Sequence, residues 1–292
     1  MCSIRQAIDE VSETLKAHPE LYYGHGTENH WDEAVALVLQ ALALPFSVSD
    51  EALARDLTEA ESEKLQILLD KRVKDQVPLG YLTKESYFCG LPFYVDERVL
   101  IPRSPIAELI EQHFEPWVSH VNVTRVLDMC TGSGCIAIAC AYAFEMAGVD
   151  AVDIDVDALA VAKMNIDKHD VSKQVTLFES NLFDALPEKP YDIIVSNPPY
   201  VSAREMQTLP NEYHHEPRHA LEADDEGFAL VDRILKQAAN YLSDNGILVV
   251  EVGNGQDALE AKYPDVPFVW VEFEYGGHGV FVLSRHDLTR HF

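Results

Sequence analysis

Apolar residues recur at three- and four-residue steps from the start of the chain, where Ile4, Ile8, Val11 and Leu15 share one helix face. A second helix is predicted over 31–44, with Asp32 and Glu33 in its first turn and Pro45 just past its end. A third begins near Thr58, which forms a T-x-x-E capping box with Glu61 ahead of Leu65, Leu68, Leu69 and Val73. Pro78 and Gly80 then interrupt the pattern. Over Tyr87 to Ile101 the run Tyr87-Phe88-Cys89, a Gly90-Leu91-Pro92 break and Phe93-Tyr94-Val95 predict a β-hairpin joining two domains, and 102–114 opens the next helix.

From about Val123 the chain alternates short apolar runs with helical periods. Strands are predicted over 126–130, 149–153, 175–178, 191–196 and 246–252. Helices are predicted from the glycine turn through Ala147, over 157–169 and over 227–242, and 268–273 with 279–283 suggest a closing antiparallel pair. Such alternation implies an α/β fold, a mostly parallel sheet with helices on both faces. The division expected is a helical N-terminal domain over 1–85, a hairpin linker over 86–101 and an α/β domain over 102–292.

Composition narrows the field. With 47% hydrophobic residues, 24% charged and a mean hydropathy of −0.09, the chain is an ordinary globular protein, neither disordered nor embedded in a membrane. The 22 Lys plus Arg against 49 Asp plus Glu leave a net charge of −27, which argues against a protein that tracks nucleic-acid phosphates. The same charge suits a basic macromolecular partner, or high solubility alone. The acidic start of the chain does not resemble a secretion signal. The five cysteines, with no C-x-x-C pair, suggest a reducing compartment, and cytoplasmic localisation is expected.

Three segments carry candidate chemistry. Gly132-Ser133-Gly134-Cys135-Ile136-Ala137 fits G-x-G-x-x-G/A between a strand and a helix, a turn without side-chain bulk where backbone can approach a ligand. Any strand-to-helix glycine turn looks similar. Asp153, 19 residues after Gly134 and ending the next strand, strengthens the reading, because an acid there can take both hydroxyls of a ribose. These two features imply a nucleoside-containing cofactor without separating nicotinamide from S-adenosylmethionine. Asn197-Pro198-Pro199-Tyr200, directly after a strand, separates them. Its prolines remove two N–H donors, and the Asn197 side-chain oxygen and the Pro198 carbonyl can both accept from one –NH2 group, with the Tyr200 ring beside it. A planar nitrogen held this way faces an activated methyl, with proximity supplying much of the rate.

Leu127-Asp128-Met129-Cys130-Thr131-Gly132-Ser133-Gly134 and Asp192-Ile193-Ile194-Val195-Ser196-Asn197-Pro198-Pro199-Tyr200 resemble the class I S-adenosylmethionine-dependent methyltransferases that act on amino groups. With a helical region and hairpin ahead of it, the whole chain is similar to the protein glutamine N(5)-methyltransferases. The stretches 23–27, 31–35, 88–90 and 93–106, and the Gly276-Gly277-His278-Gly279-Val280-Phe281 tail, resemble the branch acting on large-subunit ribosomal protein L-three. The resemblance implies a seven-stranded Rossmann-like sheet and S-adenosyl-L-methionine as cofactor. It implies a cofactor site at Asp128, Thr131, Gly132, Ser133, Gly134, Asp153, Asn181, Leu182 and Asn197, with Leu182 bordering adenine and Asn197, Pro198, Pro199 and Tyr200 handling the glutamine amide. The family often has Asp where this chain has Asn181.

Rival readings carry different requirements. The release-factor enzyme shares this chemistry, and the N-terminal matches weigh against it. A DNA adenine methyltransferase shares the Asn-Pro-Pro-Tyr loop and would need a basic groove, which this composition lacks. A non-catalytic assembly factor could keep the fold without the chemistry. His214-His215-Glu216 makes a poor metal site, because adjacent histidines diverge. Glu216-Pro217-Arg218-His219-Ala220-Leu221 either caps a substrate channel or is a structural loop. Arg103 either braces the hairpin junction or touches substrate.

Overall fold

A computed structural model describes residues 2–119, 122–187 and 189–292. Five helices come first: α1 Ile4–Lys16, α2 His30–Ala41, α3 Asp50–Leu53, α4 Glu59–Lys74 and α5 Leu79–Thr83. Thr58 and Glu61 close the capping box at the head of α4, and Ser3 with Gln6 closes another at α1. Ile4, Ile8, Val11 and Leu15 pack on Leu37, Val38, Leu65 and Leu69, so the three longer helices enclose their own core.

The hairpin is shorter than the sequence suggests. Strands β1 Ser86–Phe88 and β2 Leu91–Phe93 pair antiparallel about Cys89 and Gly90, both with positive φ, the backbone of a tight hairpin turn. Beyond Phe93 the chain leaves the hairpin, because Val95, Val99 and Ile101 bury themselves against Ala158 and Val161 instead of pairing. Buried Asn165 fixes this segment: its Oδ1 accepts from Tyr94 N (2.7 Å), and its Nδ2 donates to the carbonyls of Tyr94 (3.0 Å) and Ser133 (2.9 Å).

The α/β part comprises α6 Ile106–Glu111, β3 Arg125–Met129, α7 Cys135–Ala143, β4 Gly148–Asp153, α8 Val156–Lys168, β5 Val175–Glu179 and β6 Tyr191–Ser196. It continues with α9 Ala229–Ala238, β7 Leu242–Glu251, α10 Gln256–Lys262, β8 Val269–Trp270, β9 Val280–Ser284 and α11 Arg285–His291. Among the described residues the sheet has seven strands in the order β5-β4-β3-β6-β7-β9-β8; β5, β4, β3, β6 and β7 run parallel, and β9 is antiparallel to both its neighbours. One face packs under α6 and α7, the other under α9, α10 and α11. The first seven residues of α7 are all buried, as an uncharged apolar helix against a sheet should be.

Several boundaries differ from the sequence reading: α2 ends at Ala41 rather than at 44, and α6 spans Ile106–Glu111 rather than 102–114. Helix α7 stops at Ala143 because the Gln174 amide takes the carbonyls of Ala141 and Phe144. Helix α9 ends at Ala238, and Leu242 already pairs with Tyr191, so β7 begins before Gly246 and crosses a bulge near Ile193.

Candidate active site

The strand order reverses between β3 and β6, whose chains continue to opposite sides of the sheet; ligands of open α/β sheets bind at the carboxyl ends there. Register pairs Met129 with both Val152 and Ser196, so the glycine turn, Asp153 and the Asn197–Tyr200 loop leave the sheet in one row. The Ser196 hydroxyl donates to the Met129 carbonyl (2.7 Å), tying the bases of the two loops together.

Two cavities border the loop that leaves β6, one lined by Asn197 and Pro199 and the other by Tyr200. The smaller, about 170 Å³, is lined by Gly132, Asp153, Asn181, Leu182, Asn197 and Pro199, with Arg98 and His219 at its wall. Asp153 Oδ2 accepts from Gly132 N (2.9 Å) and Oδ1 from Asp155 N (3.0 Å); burial raises its carboxyl above the ordinary value. Cys130 and Leu182 hold left-handed φ (+62° and +56°), costly for residues with a Cβ and a feature that clusters at ligand sites. Asn181 Oδ1 accepts from Arg233 (2.8 Å). The Asn197 carboxamide is half-buried and makes no hydrogen bond among the described residues.

The rest of the expected cofactor set stands behind the turn. Asp128 is fully buried; its Oδ2 accepts from the Thr131 hydroxyl (2.5 Å) and Ala137 N (3.0 Å). Thr131 and Ser133 are buried too, and Gly134 (φ +80°) enters α7 with its Cα facing Ala162. None of these four residues lines the cavity.

The larger cavity, about 1120 Å³, lies on the other side of Tyr200, between the N-terminal helices and the sheet. Tyr22, Arg103, Tyr213, Phe228 and His278 line it. Over it folds the excursion 202–220, closed at its base by Val201 N to Leu221 O (2.8 Å) and Ala223 N to Val201 O (3.0 Å). Sequence reading left this segment undecided; the structure anchors it by buried charge. Glu216 accepts from Arg103 (2.9 Å), Ile101 N (3.0 Å) and pairs with His25 (2.8 Å), and these partners pull its carboxyl down to about 2 against the cost of burial. Arg72, also buried, bridges Glu33 (2.5 Å) and Glu212 (2.9 Å) and donates to Tyr22 O (2.8 Å). Arg103 thus braces the junction and faces the cavity as well, with its guanidinium 5.0 Å from the Tyr213 ring.

Glu212 and Arg72 were not legible as site residues, and Glu216 was legible only as part of a loop of two possible roles, since their partners lie 39 to 191 positions away. Among the described residues no group of His, Cys, Asp and Glu is arranged to hold a metal.

Sheet order, glycine turn and the loop after β6 together define a class I methyltransferase. The family model described as Methyltransferase small domain matches residues 108–262. Among solved structures, the hMettl16 catalytic domain in complex with a MAT2A 3'UTR hairpin aligns at TM-score 0.51 and 16% identity, over 78% of this chain and 81% of that one. A methyltransferase from Pyrococcus furiosus aligns at TM-score 0.50 and 16% identity, over 77% and 98%. Both likenesses concern the fold alone. Relatives named ribosomal protein uL3 glutamine methyltransferase are much nearer. The one from Francisella tularensis is 46% identical over 289 residues, 99% of this chain and 90% of the relative. The one from Bordetella pertussis is 47% identical over 267 residues, 91% and 90%. The chain belongs to the ribosomal protein uL3 glutamine methyltransferase family.

Proposed function

We propose that this protein methylates the side-chain amide nitrogen of a glutamine in ribosomal protein uL3, using S-adenosylmethionine, and so supports ribosome assembly in the cytoplasm. Family membership supports the reaction and partner. The observation that carries the site is the Asn197 carboxamide, without a protein partner among the described residues, in the lining of the smaller cavity and three residues before Tyr200, which lines the larger one. The residues around the smaller cavity fit the cofactor: Gly132 puts no side chain in the way, Asp153 lies where ribose hydroxyls need an acceptor, and Leu182 offers an apolar edge for adenine. Asp128, Thr131, Ser133 and Gly134 would act from behind by fixing the turn. The cofactor supplies an electrophilic methyl group on a sulfonium.

The substrate glutamine enters from the larger cavity. Asn197 Oδ1 and the Pro198 carbonyl accept from its –NH2, Pro199 keeps the loop rigid, and the Tyr200 ring packs beside the planar amide. Alignment drives the step, with no dedicated base, because the alkylated nitrogen sheds its proton readily. In this reading residues 1–85 recognise the substrate, 86–101 link, and 102–292 carry the transfer.

The test offers labelled S-adenosylmethionine with uL3, a class-1 release factor and adenine-containing DNA side by side. The expected result is label on uL3 alone, at a glutamine by mass spectrometry. Asn197→Ala is expected to lower turnover by about 100-fold while cofactor binding persists. Label on the release factor would overturn the partner, and an Asn197→Ala chain with full transfer would overturn the site.

A further inference from the structure

Glu251 ends β7 beneath Tyr200, and no step of the proposed transfer uses it. Its side chain is buried and holds two hydroxyls: Tyr200 donates to Oε1 (2.8 Å) and Ser104 to Oε2 (2.5 Å). The Ser104 oxygen accepts in turn from Ile106 N (3.2 Å), which pins it at the head of α6. Glu251 makes no ion pair among the described residues, and burial raises its carboxyl, so the position costs stability. Two residues on, Gly253 (φ +51°) opens room for the tyrosine; a Cβ there would stand 2.6 Å from the ring. The ring is thus held at its hydroxyl by a carboxylate and along its edge by backbone.

Tyr200 lines the larger cavity, while Asn197 and Pro199 of the same loop line the smaller one, so this short loop borders both. The residue before Ser104 lines the larger cavity together with Tyr200 and Glu251. Arg103 binds Glu216, and Glu216 binds His25, so one dipeptide ties the N-terminal helices and the loop over the cavity to the same tyrosine.

We propose that Glu251, anchored by Ser104, is a positioning residue for methyl transfer: it fixes Tyr200 so that the glutamine amide is presented in line with the methyl donor. The proposal rests on the function proposed above and acts through Tyr200 rather than through contact with the reacting atoms.

The experiment compares wild type, Tyr200→Phe, Glu251→Gln, Glu251→Ala and the Tyr200→Phe/Glu251→Ala double variant in steady-state transfer to uL3, alongside cofactor affinity and melting temperature. Tyr200→Phe and Glu251→Ala are each expected to lower kcat by roughly 10- to 100-fold, with KM and cofactor affinity nearly unchanged. Glu251→Gln keeps an acceptor for the hydroxyl and restores most of the turnover. The double variant is no slower than the slower single variant, because both remove one link. Should Glu251→Ala not fold, Ser104→Ala replaces it, with a smaller loss in kcat expected. Wild-type kcat in Tyr200→Phe, losses confined to KM or cofactor affinity, or losses that multiply in the double variant would each overturn the proposal. Absence of transfer by the wild type overturns the function itself, and this inference with it.

Discussion

Asp128 shows what burying one carboxyl behind the glycine turn does to stability. Burial lifts its carboxyl from the ordinary 3.8 to about 7, despite the bonds from Thr131 and Ala137 that favour the ionised form. A carboxyl raised on folding contributes stability fully present below its unfolded value and lost as pH rises through the folded one. Asp128→Asn keeps an acceptor and removes the titration, so the variant should gain on wild type by a few kcal/mol, order of magnitude, between about pH 4 and pH 7. Melting temperatures of both chains across that range check this, and two parallel profiles would refute it. Glu216 works in the opposite sense: its carboxyl is held at about 2, so its contribution is present above the ordinary carboxylate range and lost only in strong acid. Of these two, Asp128 stood out in the sequence beside a glycine turn, whereas Glu216 lay in a segment with no decided role.

At the scale of elements, local chemistry decides where helices begin and tertiary contacts decide where they end. The Thr58 hydroxyl accepts from Glu61 N (3.3 Å), and the Glu61 carboxylate accepts from Thr58 N (2.8 Å) and from Arg55. All of these partners are within a few residues, which is why the start of α4 was visible in the sequence. Thr58→Ala should therefore lower stability by about 1 kcal/mol and leave transfer intact, as a denaturant titration would read. A loss of turnover there would mean that α4 reports on the site. The end of α7 and the start of β7 were placed wrongly in the sequence because a glutamine 31 residues beyond Ala143, and a pairing across the sheet with Tyr191, set them. The same holds for the hairpin: its turn is local, while the segment after Phe93 follows the apolar face of α8.

The whole molecule joins an acidic surface to a site between helices and sheet. A net charge of −27 gives a field that would attract a basic protein such as the proposed ribosomal substrate and speed its capture. Salt at about 0.1 M confines such a field to about 10 Å, so kcat/KM for uL3 should fall several-fold from low to physiological salt while kcat at saturation holds. Turnover measured over a salt series decides this, and a flat response would remove steering from the account. Arg72, Glu33 and Glu212 hold the N-terminal helices against the loop over the larger cavity with charges buried on both sides. Removing Arg72 alone would strand two carboxylates there.

By itself the sequence determined the alternation of strands and helices, the glycine turn, the acid ending the next strand and the Asn-Pro-Pro-Tyr loop. Each is a short pattern whose physical cause, side-chain period or fixed φ or absent Cβ, lies within a few residues. Only the tertiary structure decided that the turn and the loop leave neighbouring strands side by side, that Asp128 stands behind the turn, that Glu251 holds the Tyr200 and Ser104 hydroxyls, and that Glu216 and Arg72 tie N-terminal residues to the 202–220 excursion. Those roles depend on partners that are distant in the chain and adjacent only once β3 and β6 pair and the N-terminal helices dock. A buried acid looks like a surface one until the residues that bury it are in place.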